Sequence, residues 1–133
     1  MDADDKRIHD ILGDDNARTM QNAERYRQYL LKHLSLPIVA TGTEDFPWEE
    51  PYVFGGWDED EYEELKKTNP SHTDTFEIKT LEPPNEHEDV VAQVRRVSDG
   101  KRFEIGLSWL SSEDENDDAH TLLEDYGVWH TNY

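Results

Sequence analysis

The sequence predicts an α+β fold in which a small antiparallel sheet lies between an N-terminal helix and a C-terminal amphipathic helix. Three observations carry that prediction. Apolar residues recur every three or four positions near both ends of the chain, β-rich runs alternate through residues 75 to 110, and Asp99-Gly100 separates two of those runs. A chain of 133 residues has the length of one domain and can bury a modest core without covalent staples.

The elements follow in order. Residues 1–15 hold six aspartates around Ile8, Ile11 and Leu12, which reads as an acidic N-terminal arm, either a short amphipathic turn or a frayed, flexible one. Residues 16–133 then read as a single α+β domain. Met20, Ala23, Tyr26, Leu30 and Leu34 fall on one helical stripe, and Arg25, Arg27 and Lys32 favour its C-terminal end. Pro37 stops it, so the helix is placed over about 16–34. Ile38, Val39 and Ala40 suggest a short strand. An acidic, aromatic insertion occupies residues 44–72; between Glu44 and Leu65 it has ten acids and no Lys or Arg, interleaved with Phe46, Trp48, Tyr52, Phe54, Trp57 and Tyr62. Within it, "DEDEYEELKK" places acids first and lysines last, as a short helix prefers.

Three strand signals come next. In "TFEIKTL", Phe76, Ile78 and Thr80 alternate with Glu77 and Lys79; "VVAQVRRV" is β-branched; "RFEIGLSWL" places Phe103, Ile105, Leu107 and Trp109 on one face. Asp99-Gly100 predicts a two-residue type I′ turn between the last two, since that turn needs positive φ at both centres. Finally Ala119, Leu122, Leu123, Tyr126, Trp129 and Tyr133 predict a closing helix whose aromatic face covers the sheet or its open end.

Composition narrows the function. The chain carries 32 acidic and 13 basic residues, a net charge of −19, with only 34% hydrophobic residues. Four Trp, six Tyr and four Phe nevertheless supply the large anchors of a folded core. Such a charge repels nucleic-acid phosphates and anionic lipid, and it favours cations or basic proteins as partners. Without cysteine there is no thiolate ligand or nucleophile. The six histidines are dispersed with no i, i+4 pair, which argues against zinc. No phosphate loop, nucleophile elbow or metalloprotease motif is present, so no enzyme is expected. The acidic start has no apolar leader, and no apolar run is long enough to span a bilayer, so a cytoplasmic protein is expected.

Three segments concentrate oxygen ligands of the kind calcium requires in sixes to eights: "WDEDEYEE", with Asp58 and Asp60; "EPPNEHEDV", with Glu86, Glu88 and Asp89; and "EDENDD", with Asp114 and Asp118. The last begins like an EF-hand loop, with Asp114, Asn116 and Asp118 at alternate positions and Asp125 at the twelfth. Ala119, however, stands where the sharp turn requires Gly, and the apolar repeat behind it asks for helix. The bland alternative is a capping box of Ser112 and Glu115, with Asp114, Asp117 and Asp118 matching the positive end of the closing helix. For the other two segments the alternative is a solvated loop and an exposed helix start.

The order of "NAERYRQYLLKHLSLPIVAT", "LEPPNEHEDVVAQVRR", "FEIGLSWL" and "LLEDYGVWHTNY" resembles the family of bacterial calcium-binding proteins related to cyanobacterial CcbP. Tyr29, Leu30, Leu36, Pro37 and Ile38, the loop Pro83–Asp89, Leu107, Ser108 and Leu110, and Asp125, Tyr126 and Trp129 carry it. Two departures stand out: the insertion at 44–72 is larger than in the family, and Asn85 and His87 dilute the acidic loop. The resemblance implies a strongly twisted small sheet, or an SH3-like partial barrel. It also implies Ca2+ binding on a negative surface outside an EF-hand, with a role in buffering or signalling. Glu86, Glu88 and Asp89 match the family loop; Asp58, Asp60, Asp114 and Asp118 are added from charge density alone. The alternative function is an acidic interaction protein that docks a basic partner, or mimics nucleic acid, through Trp48, Trp57 and the acids around them. Plain adaptation to high salt is a third, and would scatter the acids over the surface.

Overall fold

The computed structural model describes residues 2–55, 58–114 and 117–133. The acidic start forms helix α1 (Ala3–Leu12), which buries Ile8 and Leu12 completely or nearly so. Of the two forms open to residues 1–15, this segment takes the amphipathic one. Helix α2 (Met20–His33) begins where the Thr19 hydroxyl accepts the Asn22 N–H at 3.1 Å. It starts later than residue 16 because the buried Asn22 amide donates to the carbonyls of Asp15 (2.9 Å) and Ala17 (2.8 Å), which fixes that stretch outside a helix. Ala23, Tyr26 and Leu30 form its buried stripe.

Strand β1 (Ile38–Gly42) follows, then a 3-10 turn at Pro47–Glu49, the short helix α3 (Glu50–Phe54) and helix α4 (Glu59–Lys66). Strands β2 (Thr75–Glu82), β3 (Val91–Arg96) and β4 (Arg102–Gly106) form an antiparallel meander. A second 3-10 turn (Leu107–Trp109) then leads to β5 (Leu110–Ser112) and helix α5 (Asp118–Asn132). The sheet order is β4-β3-β2-β1-β5 and every pairing is antiparallel, so the sheet is open and does not close into a barrel.

Four local expectations are corrected. The alternation in β2 breaks between Ile78 and Thr80, where the register against β3 shifts. Leu81 therefore turns inward and Thr80 outward, because one extra residue reverses the faces. The strand expected through Trp109 stops at Gly106, since Leu107–Trp109 coil into a turn that lets the chain cross to the other edge of the sheet. At the β3–β4 connection only Gly100 has positive φ (78°), so Asp99-Gly100 is not a type I′ pair. The loop is wider, with the Gly100 N–H bonded to the Arg96 carbonyl at 2.8 Å. Finally, Ser112 belongs to β5 and pairs with Ala40, so Asp117 caps α5 through its side chain to the Ala119 N–H at 3.2 Å. Glu115 of the expected capping box and Asn116 of the loop-like triplet lie outside the described residues.

Helices α1, α2 and α5 pack together on the inner face of the sheet, over Ala40, Phe76, Ile78, Ala92, Val94 and Ile105. Tyr26 of α2 meets Tyr126 of α5 edge-on with ring centroids 5.1 Å apart, and Trp129 completes the cluster at 5.4 and 5.7 Å. Each such pair contributes about 0.5–1.5 kcal/mol beyond its buried area. Arg7 clasps Asp125 through Nε (2.6 Å) and Nη2 (2.9 Å), which ties α1 to α5. Among the described residues no helix is long and apolar enough to cross a membrane.

The insertion is fastened by one buried carboxylate. Glu49 is fully buried and accepts from Ser71 Oγ (2.6 Å), His72 Nδ1 (2.8 Å), the Phe46 N–H (2.9 Å), the His72 N–H (3.0 Å) and the Tyr62 hydroxyl (3.0 Å). Burial alone pushes its carboxyl upward, but these donors outweigh burial and hold it below the usual carboxylate range. On the far side of α4, the buried Arg96 donates to the carbonyls of Lys66, Lys67 and Asn69 and to Asp74 and Asp99. It thereby caps the C-terminal end of that helix.

Candidate functional site

The β2–β3 loop, residues 83–90, is folded around Asn85. Its side-chain oxygen accepts the His87 N–H at 2.8 Å and the Asp89 N–H at 3.3 Å, and Glu88 takes a positive φ of 56°. That left-handed turn separates the three acids. Glu86 extends into solvent with its side chain 87% exposed, Glu88 is half-buried, and Asp89 turns inward to 2% exposure. Asp89 Oδ1 accepts the Tyr126 hydroxyl (2.7 Å) and the Ser108 N–H (3.1 Å), and Oδ2 accepts Ser108 Oγ (2.6 Å). Tyr126 in turn accepts the Val90 N–H at 2.7 Å. Burial and the Asp89 charge push the Tyr126 phenol above its ordinary pKa. The carboxylate therefore joins the loop, the 107–109 turn and α5. A cleft of about 360 Å3 beside it is lined by Glu44, His87, Trp109 and His130, and His130 Nε2 donates to the His87 carbonyl at 3.0 Å.

A larger cleft, of about 750 Å3, opens where the α2–β1 turn faces the β5–α5 link. Pairing of Ala40 with Ser112 brings those segments side by side. From the link come Glu113, Asp114, Asp117 and Asp118, and from the turn His33 and Ser35, while among the described residues no Lys or Arg lines it. Glu113 Oε1 accepts the Thr75 hydroxyl at 2.9 Å, which orients it. The Asp114 N–H points to Ser112 Oγ at 3.4 Å, and the Asp117 N–H bonds to the Asp114 carbonyl at 3.1 Å. All four acids are exposed. Like charges gathered along one cleft make its potential negative, and water screens them only in part. The positive end of α5 supplies about half a charge, which leaves the cleft strongly negative. Hard oxygen donors around a roomy, wet space suit a large divalent cation.

The seven ligands expected from sequence thus fall in three places. Asp114 and Asp118 share the large cleft; Glu86, Glu88 and Asp89 sit on the β2–β3 loop, where the last is engaged internally. Asp58 and Asp60 lie at the start of α4, with Asp58 Oδ1 accepting the N–H groups of Asp60 (2.9 Å) and Glu61 (3.2 Å) as a cap. Among the described residues, ligand atoms of three or more His, Asp or Glu side chains come within 4.8 Å of one another only at Asp2, Asp4 and Asp5 of α1. Asp5 there also accepts the Tyr133 hydroxyl. The run "MDADD" was a visible signal for this group, and the acidic pair Glu113 and Asp117 was visible as charge but not as cleft lining. Of the tryptophans suggested as a contact face, Trp48 donates to the Pro70 carbonyl at 2.6 Å and packs on Tyr52 and Tyr62; Trp57 lies outside the described residues.

No family model matches the sequence, and no curated protein does either. Among solved structures the fold is shared by CcbP of Anabaena, 19% identical over 95% of this chain and 87% of that one with a TM-score of 0.60. It is shared also by a protein described as a calcium binding protein in the calcium-binding form, 18% identical over 96% of this chain and 89% of that one with a TM-score of 0.61.

Proposed function

We propose that this protein binds Ca2+ through clustered surface carboxylates outside an EF-hand, with the principal site in the cleft between the α2–β1 turn and the β5–α5 link. The observation that carries the proposal is that Glu113, Asp114, Asp117 and Asp118 line one cleft in which, among the described residues, no Lys or Arg stands. A structure of the same fold bears the description of a calcium-binding protein, which supports the same ligand here. In this proposal Asp114 and Asp118 ligate directly, with Glu113 and Asp117 and water filling the shell. Glu86, Glu88, Asp58 and Asp60 add to the negative field, and Asp89 is a structural group. An open, wet site of this kind binds with a Kd of about 10−5 to 10−3 M, a range suited to buffering or signalling in the cytoplasm rather than to catalysis.

Calorimetric titration with Ca2+ and then Mg2+ tests it. Asp114→Asn with Asp118→Asn should weaken calcium binding at least tenfold, while Glu86→Gln with Glu88→Gln changes it less than threefold. At a hundredfold excess of calcium over Kd the native state gains about 2.7 kcal/mol, which persists in 0.15 M salt. Equal affinity for both ions, or loss of binding with the Glu86 and Glu88 pair instead, refutes the assignment.

A further inference from the structure

We infer that the corner of the insertion where α3 ends is a docking surface for a Lys- and Arg-rich amphipathic helix, with Phe54 as its apolar anchor. Phe54 is 78% exposed and its neighbour Val53 44%. Both sit in the stretch from Glu44 to Leu65 that holds ten acids and no Lys or Arg. Lys66 Nζ, 4.2 Å over the Tyr62 ring, offsets part of this charge, but acids predominate around the exposed apolar side chains, and together they match one kind of partner. Anionic lipid and nucleic acid are repelled by the same acids. A basic amphipathic helix is drawn in by them, and it offers an apolar face to cover Val53 and Phe54.

The surface is also pre-organised. Helix α3 begins directly after Glu49, whose buried carboxylate is held by Ser71, His72 and Tyr62. Tyr52 stacks on Tyr62 with ring centroids 5.4 Å apart and planes 6° from parallel. Trp48 is pinned to Pro70. The backbone carrying Phe54 is therefore fastened on its inner side while the ring points away, so an incoming helix finds the anchor already placed and little ordering entropy remains. Just beyond it, the first turn of α4 presents Glu59, Asp60 and Glu61, which steer positive charge toward the same corner. None of these residues lines the calcium cleft, and the inference does not rest on calcium binding.

The test is fluorescence anisotropy in calcium-free buffer with a labelled Leu/Lys amphipathic helical peptide, against a scrambled peptide of the same composition. Expected is micromolar binding of the helical peptide, at least tenfold tighter than the scramble and weakened by salt. Phe54→Ala, whose exposed side chain makes it safe for folding, should lower the affinity at least fivefold. Neutralising the separate acidic group with Asp2→Asn, Asp4→Asn and Asp5→Asn should change it less than twofold. Equal binding of both peptides, no effect of Phe54→Ala, or a larger loss from the aspartate triple variant overturns the inference.

Discussion

Replacing Asp89 with Ala separates two roles that the sequence alone cannot distinguish, ligand and structural hub. If the carboxylate is a hub, the loss appears in calcium-free buffer. Removing it strands the Tyr126 hydroxyl, on a fully buried side chain, and the Ser108 N–H, while Ser108 Oγ can turn toward solvent. A buried hydroxyl and a half-buried N–H left unpaired cost about 1–3 kcal/mol each, and relief of the buried charge returns part of that, so a net loss of about 3 kcal/mol is expected. With an unfolding entropy of about 2.1 cal/mol/K per residue over 133 residues, this is a fall of about 10 °C in Tm. Urea unfolding followed by tryptophan fluorescence measures it, and the slope with denaturant should be unchanged. A loss under 1 kcal/mol in calcium-free buffer, together with a large loss of calcium affinity in the folded variant, would show that Asp89 is a ligand after all.

The neighbouring Gly106→Ala places a Cβ 2.3 Å from Asp89 Oδ2. It should cost about 1–3 kcal/mol and combine less than additively with Asp89→Ala in a double-mutant cycle by urea melts. Arg96→Met leaves the carbonyls of Lys66 and Asn69 without the Arg96 donor, while that of Lys67 keeps Lys101 Nζ; a loss of about 3–5 kcal/mol is expected, with amide exchange rising first across Glu59–Lys66. Acid should weaken the insertion through Glu49 and Asp99. The donors around Glu49 hold its carboxyl low, and the Arg96 bond, then the Lys101 N–H, bring Asp99 down to about 2. Both folded values are depressed, so their contribution is complete above the unfolded carboxyl value of about 4. It is lost as pH falls through the folded values, and Glu49→Gln should flatten that acid limb in Tm-versus-pH curves.

Patterns with a short period were legible in the sequence. The stripes of Tyr26 with Leu30 and of Leu123 with Tyr126 place both long helices, and the alternation of Phe76 with Ile78 places the inner face of the sheet. Features set by distant partners were not. Nothing near Glu49 in sequence announces that Ser71 and His72 will close over it, and Asp89 differs from Glu86 only through Tyr126 and Ser108, which lie far along the chain. The same holds for the candidate site. The acids of "EDENDD" were visible as charge, but their cleft exists only because β5 lies against β1, across from the α2–β1 turn. The break after Gly106 was hidden because Leu107 and Trp109 continue the apolar alternation of a strand while forming a turn.

The sheet order has a kinetic corollary. β2, β3 and β4 are joined by short connections, so the meander can form with little loss of chain entropy. The pairing of Ala40 with Ser112 is different, because most of the chain lies between them. The free edge of β2 must therefore capture β1 before β5 can find it, and the non-local pair sets the slow step. Because the acidic cleft is built on that last pairing, it is the final part of the molecule to assemble: a nascent or partly unfolded chain presents its carboxylates dispersed, and under the proposed function cation binding would report completed folding.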